Sequence, residues 1–98
     1  MQIIARRTLK QFWELHPNAE LPLRLWYARV KAAQWSGPAD VKKGFGGSAD
    51  FVGDNRIIFD IGGNKFRLIV HVAYAYGRVL VKFVGTHKEY DAINAETV

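Results

Sequence analysis

The side chains best suited to chemistry lie near the end of the chain. Thr86-His87-Lys88-Glu89-Tyr90-Asp91 begins with Thr-x-x-Glu, a capping box in which the threonine hydroxyl and the glutamate carboxylate satisfy backbone N–H groups at a helix start. In a short helix opened there and running through Tyr90 and Ile93, His87 and Tyr90 stand three residues apart and project on one side, with Lys88 and Asp91 nearby. Imidazole as a class titrates near pH ~6.5, so it both gives and accepts protons near neutrality. A histidine and a tyrosine beside an arginine and a lysine suit phosphodiester chemistry, the titratable groups moving protons while the cations hold the phosphate. The plainer reading of His-x-x-Tyr is a packing pair that holds a terminal helix onto its neighbour.

The cations come from the segment before it. From Asn55 the apolar period is two, in the runs Arg56 to Ile61, Lys65 to Tyr74 and Arg78 to Val84, separated by Gly62-Gly63-Asn64 and Ala75-Tyr76-Gly77. Glycine and asparagine accept positive φ, so both breaks read as hairpin turns, and the three runs predict an antiparallel meander. Alternation places Ile57, Phe59, Ile61, Phe66, Leu68, Val70, Val72, Val79, Val81 and Phe83 on one face, the core face. The other face carries Arg56, Ile58, Asp60, Lys65, Arg67, Ile69, His71, Ala73, Arg78, Leu80, Lys82 and Val84. Arg67 and Lys82 then converge from adjacent strands. Scattered charges on a solvated sheet face are the ordinary case, but Ile58, Ile69 and Leu80 are large for a wet face and point to a cleft, a partner or a bound nucleobase.

A sheet with one apolar face needs a cover. Thr8-Leu9-Lys10-Gln11 has the form of a capping box, and Leu9, Phe12, Trp13 and His16 keep helical spacing until Pro17. Asn18 is a candidate cap for a second helix carrying Leu23, Trp26, Tyr27, Val30 and Ala33, which Gly37-Pro38 ends. Gln2 to Ala5 reads as an edge strand. Ala39 to Ala49, with Lys42-Lys43 and three glycines, reads as a basic loop. The expected fold is α+β: two N-terminal helices packed on an antiparallel sheet made of a short first strand and the meander, with a short C-terminal helix.

With 98 residues, about half of them hydrophobic, the chain is expected to form one domain, residues 1–98. Thirteen per cent aromatic residues argue against disorder along its length. No apolar run reaches the length of a membrane span, and the first residues have their charges after the apolar ones, the reverse of a signal peptide; a cytoplasmic protein without a membrane partner is expected. Cysteine is absent, and His16, His71 and His87 fall on different elements without metal-ligand spacing, so neither a metal nor another cofactor is expected. Fourteen Lys and Arg against nine Asp and Glu give a formal charge of +5. Basic residues concentrate between Lys42 and Lys88, whereas Glu89 to Val98 carries acids only. That balance favours a polyanionic partner, with an acidic protein surface as the alternative.

Asn55-Arg56-Ile57-Ile58-Phe59-Asp60-Ile61, Gly63-Asn64-Lys65-Phe66-Arg67-Leu68-Ile69 and Gly85-Thr86-His87-Lys88-Glu89-Tyr90-Asp91, in this order and spacing, resemble the HigB-type toxins of bacterial toxin–antitoxin modules, within the wider RelE-like ribonuclease group. The resemblance implies a metal-independent endoribonuclease that cuts messenger RNA, usually on the ribosome, and so inhibits translation and growth. It implies that the sugar 2′-OH attacks the adjacent phosphate. By position, Arg67 matches the strand arginine that contacts the phosphate, and His87 and Tyr90 match the C-terminal cluster for proton transfer and orientation. Lys65 and Lys82 are electrostatic helpers, and Lys42, Lys43, Arg56 and Lys88 further candidate RNA contacts. The implied partner is a HigA-like helix-turn-helix antitoxin; the chain shows no DNA-reading motif, so DNA is met only through that partner. The alternative function is an RNA- or ribosome-binding module without catalysis, and a third is an interaction domain for an acidic protein.

Overall fold

A computed structural model describes Met1–Val98. Five strands, β1 (Gln2–Ile4), β2 (Ala49–Val52), β3 (Arg56–Ile61), β4 (Phe66–Ala73) and β5 (Arg78–Thr86), form one sheet in the order β1-β5-β4-β3-β2. β2 to β5 are antiparallel neighbours, and β1 lies parallel to β5 at the edge. The helices are α1 (Arg6–Leu15), α2 (Glu20–Ala32), α3 (Pro38–Phe45) and α4 (His87–Asp91). No helix is long and apolar enough to cross a membrane. The α+β class, the edge strand, the meander and a terminal helix are as the sequence predicts, but the sheet is mixed rather than antiparallel throughout, because β1 runs parallel to β5, and α4 ends at Asp91, short of Ile93.

Leu9, Phe12 and Trp13 of α1, Leu23, Trp26 and Val30 of α2, and Val41 of α3 meet Ile57, Phe59, Ile61, Phe66, Leu68, Val70, Val72 and Val79 of the sheet in one buried cluster. Trp26, Trp35 and Phe45 gather around Phe59, with ring centroids 5.5, 6.5 and 4.8 Å away. Burying a large apolar side chain contributes ~1.5 to 3 kcal/mol, so this layer dominates the stability.

Several local expectations are corrected. Thr8 does not cap α1: the chain must leave β1 at Ile4 to stay paired with β5, so the helix starts at Arg6 with Ala5 before it and Thr8 already in the first turn. Asn18 lies in a single 3₁₀ turn, Pro17–Ala19, which leads into α2. That helix ends at Ala32, short of Gly37-Pro38, and Pro38 begins α3 instead. The expected basic loop, Ala39 to Ala49, is therefore mostly helix followed by the start of a fifth strand. Proline at the first helical position, Asp40 in the first turn, Lys42 and Lys43 in the last and Gly46 after the end are the signals of such a helix, masked here by Gly44. Asp40 also accepts from the Ser36 amide and hydroxyl, both at 2.8 Å, which holds its carboxyl below the usual range.

The largest correction concerns β5. Val70 pairs with Val81 but Ile69 with Phe83, leaving Lys82 as a bulge. Beyond it every side chain changes face: Val84 packs against the core, and Phe83 moves to the opposite side. Ile58 and Ile69 on that outer face are buried rather than open, although they stand apart from the core cluster. The segment after α4 is tied to the same face, because Arg56 donates to the carbonyl oxygens of Ala95 and Val98.

Candidate active site

Arg67 stands at the start of β4, directly across from Asp60 on β3 and Gly85 on β5. Its Nε lies 3.2 Å from an Asp60 carboxylate oxygen. The turn between β3 and β4 supplies the rest of its setting. Gly62, Gly63 and Asn64 all take positive φ, which glycine tolerates freely and asparagine more readily than most residues. The turn so formed aims Asn64 back at Arg67: Nη2 donates to Asn64 Oδ1 at 2.5 Å, and Nη1 donates to the Asn64 and Phe66 carbonyls, each at 3.3 Å. The side chain is only 11% exposed. Paired with Asp60 and bonded through Nη1 and Nη2 to its own turn, Arg67 meets an incoming anion with a preset orientation rather than an open two-pronged fork.

Over this guanidinium lies the Tyr90 ring, 5.6 Å from Cζ to centroid. Tyr90 is held there by α4, whose start is the capping box that the sequence predicts. Thr86 Oγ1 accepts from the Glu89 amide at 3.1 Å, and Glu89 accepts from the Thr86 amide at 2.8 Å. The bond from the Thr86 amide keeps the Glu89 carboxyl below its ordinary value; burial opposes it, and the Thr86 side chain and nearby His16 lower it further. His87 presents its imidazole to Tyr90 edge to face, with centroids 6.4 Å apart. Its Nδ1 is 3.3 Å from Asp91 Oδ2. An ionised carboxylate only accepts, so Nδ1 carries the hydrogen in this pairing and Nε2 is left to exchange protons. Half of the His87 side-chain surface is open to solvent.

Arg67, Tyr90 and His87 are thus brought into one chain of contacts. Lys65, in the turn beside Asn64, and Lys88, on α4, border that chain and are exposed. Lys82 is exposed at the bulge. Lys42, Lys43 and Arg56 are not part of the group. Lys42 lies 5.6 Å over the Phe51 ring, at a separate cavity of about 490 Å³ that Arg56 and Tyr74 also line. Arg56 sits four residues from Asp60 on β3, roughly 13 Å along the strand. Asp60 and Asn64 were missed in the sequence as partners of Arg67, and Phe83 was placed on the core face. Asn64 had a usable signal, because an asparagine in a glycine turn with an arginine three residues later is placed to bond it; Phe83 had none, because nothing local marks the bulge. No three His, Asp or Glu side chains stand close enough together to hold a metal ion.

The sequence has relatives across nearly its whole length. It is 29% identical over 94 residues to a protein of Escherichia coli O6:H1 strain CFT073 named mRNA interferase HigB, covering 95% of this chain and 91% of that one. The mRNA interferase toxin HigB of Escherichia coli K12 is 27% identical over 96 residues, covering 97% and 92%, as is the mRNA interferase HigB of Shigella flexneri. Residues 19–93, which include Arg67, His87 and Tyr90, match the model of the HigB toxin family, described as the RelE-like toxic component of a toxin–antitoxin system. That match covers more than half of the sequence, and the chain belongs to the HigB toxin family.

Proposed function

We propose that this toxin is an endoribonuclease that cuts messenger RNA by internal transesterification, with Arg67, Tyr90 and His87 as its active site. The observation that carries the reading is the contact chain Arg67–Tyr90–His87, backed by Asp91, at one exposed end of the sheet. The names of the relatives support the same substrate. In the reaction, the 2′-oxygen of the nucleotide before the cut loses its proton and forms a bond to the adjacent phosphorus. The bond from phosphorus to the 5′-oxygen breaks, that oxygen takes up a proton, and the products end in a 2′,3′-cyclic phosphate and a 5′-hydroxyl. His87 Nε2 is positioned to serve as one of the two proton-transfer groups, with Asp91 orienting the ring. The Arg67 charge stabilises the crowded phosphate, Tyr90 orients, and Lys65 and Lys88 with Lys82 add positive field for the RNA backbone.

The reaction uses no metal ion, the RNA is met on the ribosome in the cytoplasm, and all 98 residues act as one domain. Membership of a toxin–antitoxin family implies an antitoxin, here a HigA-like helix-turn-helix protein through which any DNA contact is made. The test uses purified toxin, free of antitoxin, in a translating extract with excess magnesium and a chelator selective for transition metals. Fragments with cyclic-phosphate ends are expected. Cleavage that requires zinc or manganese removes the metal-free mechanism. RNA that is bound tightly but left intact makes the protein a binding module instead.

A further inference from the structure

Phe83 has no work in the core. Of the six phenylalanines, Phe12, Phe59 and Phe66 belong to the buried cluster and Phe45 and Phe51 pack against it; Phe83 alone does neither. The bulge at Lys82 turns it to the outer face, opposite Ile69, two residues along β5 from Gly85, the strand partner of Arg67. Its ring leans toward that end. A Cβ on Gly85 would lie 2.5 and 2.9 Å from the Phe83 Cζ and Cε2 and 3.2 Å from the Glu89 Cβ. Gly85 has ordinary negative-φ backbone, so what this position demands is space, and the space is filled by the ring on one side and α4 on the other.

We propose that Phe83 is a stacking platform for the nucleobase beside the phosphate at Arg67, held in place by the Lys82 bulge and the missing side chain of Gly85. The inference rests on the RNA-cleavage reading above and adds a base subsite to it. Bulges near functional sites commonly redirect a side chain, and here the redirected one is a half-buried aromatic ring on the face that carries Arg67, paired with Ile69 two residues along β4 from that arginine. Aromatic rings interleaved with cations are the recurring chemistry of single-stranded nucleic acid recognition, because every base offers a face to stack on. A ring that served only to cover Ile69 could be any large apolar side chain.

That difference sets the test. Wild type, Phe83→Leu, Phe83→Trp and Gly85→Ala are compared in a translating extract, with fragment ends sequenced and melting temperatures measured. In parallel, ribosomes programmed with a messenger carrying 2-aminopurine beside a 2′-deoxy nucleotide, which blocks cleavage, report stacking as fluorescence quenching. Phe83→Leu, which still covers Ile69, is expected to cut roughly tenfold or more slowly, the typical scale of one lost base–aromatic stack. Its nucleotide bias at the cut should flatten and its quenching disappear. Phe83→Trp retains rate and quenching, and Gly85→Ala behaves as Phe83→Leu does. Wild-type rate, bias and quenching in Phe83→Leu overturn the platform while leaving the cleavage reading intact. A wild-type protein that cuts no messenger overturns both.

Discussion

Two arginines on the same sheet face, on adjacent strands, meet opposite circumstances. Arg67 is held by the Asp60 and Asn64 side chains and by the carbonyls of its own turn, under a Tyr90 ring that an exposed imidazole also meets. Arg56 is gripped by the chain's own carbonyls, those of Ala95 and Val98, and its Nε is buried without a partner. Near Arg56 the Tyr74 hydroxyl is likewise buried and unpartnered, and burial, with the Asp40 charge second, pushes its phenol above the usual value. The difference separates orientation from consumption. Under the proposed function the charge at one end is presented to the RNA, whereas at the other it anchors the C-terminal segment. Charge and face alone, which are the same for both residues, do not distinguish them.

The sharpest break of this comparison comes at His87. His87→Gln removes the titrating ring at similar size, and turnover should fall at least ~100-fold, within the usual range for losing a positioned acid or base, while RNA binding changes little. Single-turnover cleavage beside filter binding checks it, and equal losses in both would make His87 a binding residue. Arg67→Ala should also lower cleavage ~100-fold or more with the fold retained. Arg67→Lys should restore only part of it, because an ammonium cannot hold Asp60, the Asn64 amide oxygen and two carbonyls together. Arg56→Ala is the matching change at the other end. It should cost ~1 to 3 kcal/mol in chemical denaturation by releasing the C-terminal segment, with cleavage falling only in step with stability. A loss of cleavage as large as that of Arg67→Ala would erase the distinction between the two ends.

Smaller effects sharpen the picture of α4. Thr86→Ala should cost about 1 kcal/mol and lower cleavage as well, since the cap aims both His87 and Tyr90. The partner half of the box gives a pH dependence. The Glu89 carboxyl is lowered in the folded protein from an ordinary value of 4.5, so its contribution is complete above that value and is lost as pH falls through the lowered one. Wild type should therefore melt higher than Glu89→Gln at pH 7, with the gap closing as the solution is acidified below about 4.5. An unchanged gap at pH 3 would place the stabilisation elsewhere.

Some of this architecture was legible in the linear order of residues, and the divide follows the range of the forces involved. The capping box at Thr86, the turn at Gly62-Gly63-Asn64 and the period-two runs of β3 and β4 are local: each rests on backbone geometry or on alternation over a few residues. Those signals, with the composition and the spacing of three motifs, determined the α+β class, the location of Arg67, His87 and Tyr90 and the resemblance to a toxin family. The starts of α1 and α2 were misread because the pairing of β1 with β5 and the turn at Pro17 override nearby capping patterns. α3 and β2 were missed where glycines interrupt the local code.

What only the tertiary structure decided is how neighbouring strands and distant segments meet. Whether Lys82 bulges depends on which registers β4 can accept on both sides of Ile69 and Val70, and no residue of β5 carries that information alone. The bulge in turn decides that Phe83 lies on the face that carries Arg67, and Val84 against the core. In the same way, Arg56 remains a candidate RNA contact until a segment some forty residues further along the chain folds back onto it. Residue type determined what each side chain is able to do; long-range packing determined which of them is free to do it.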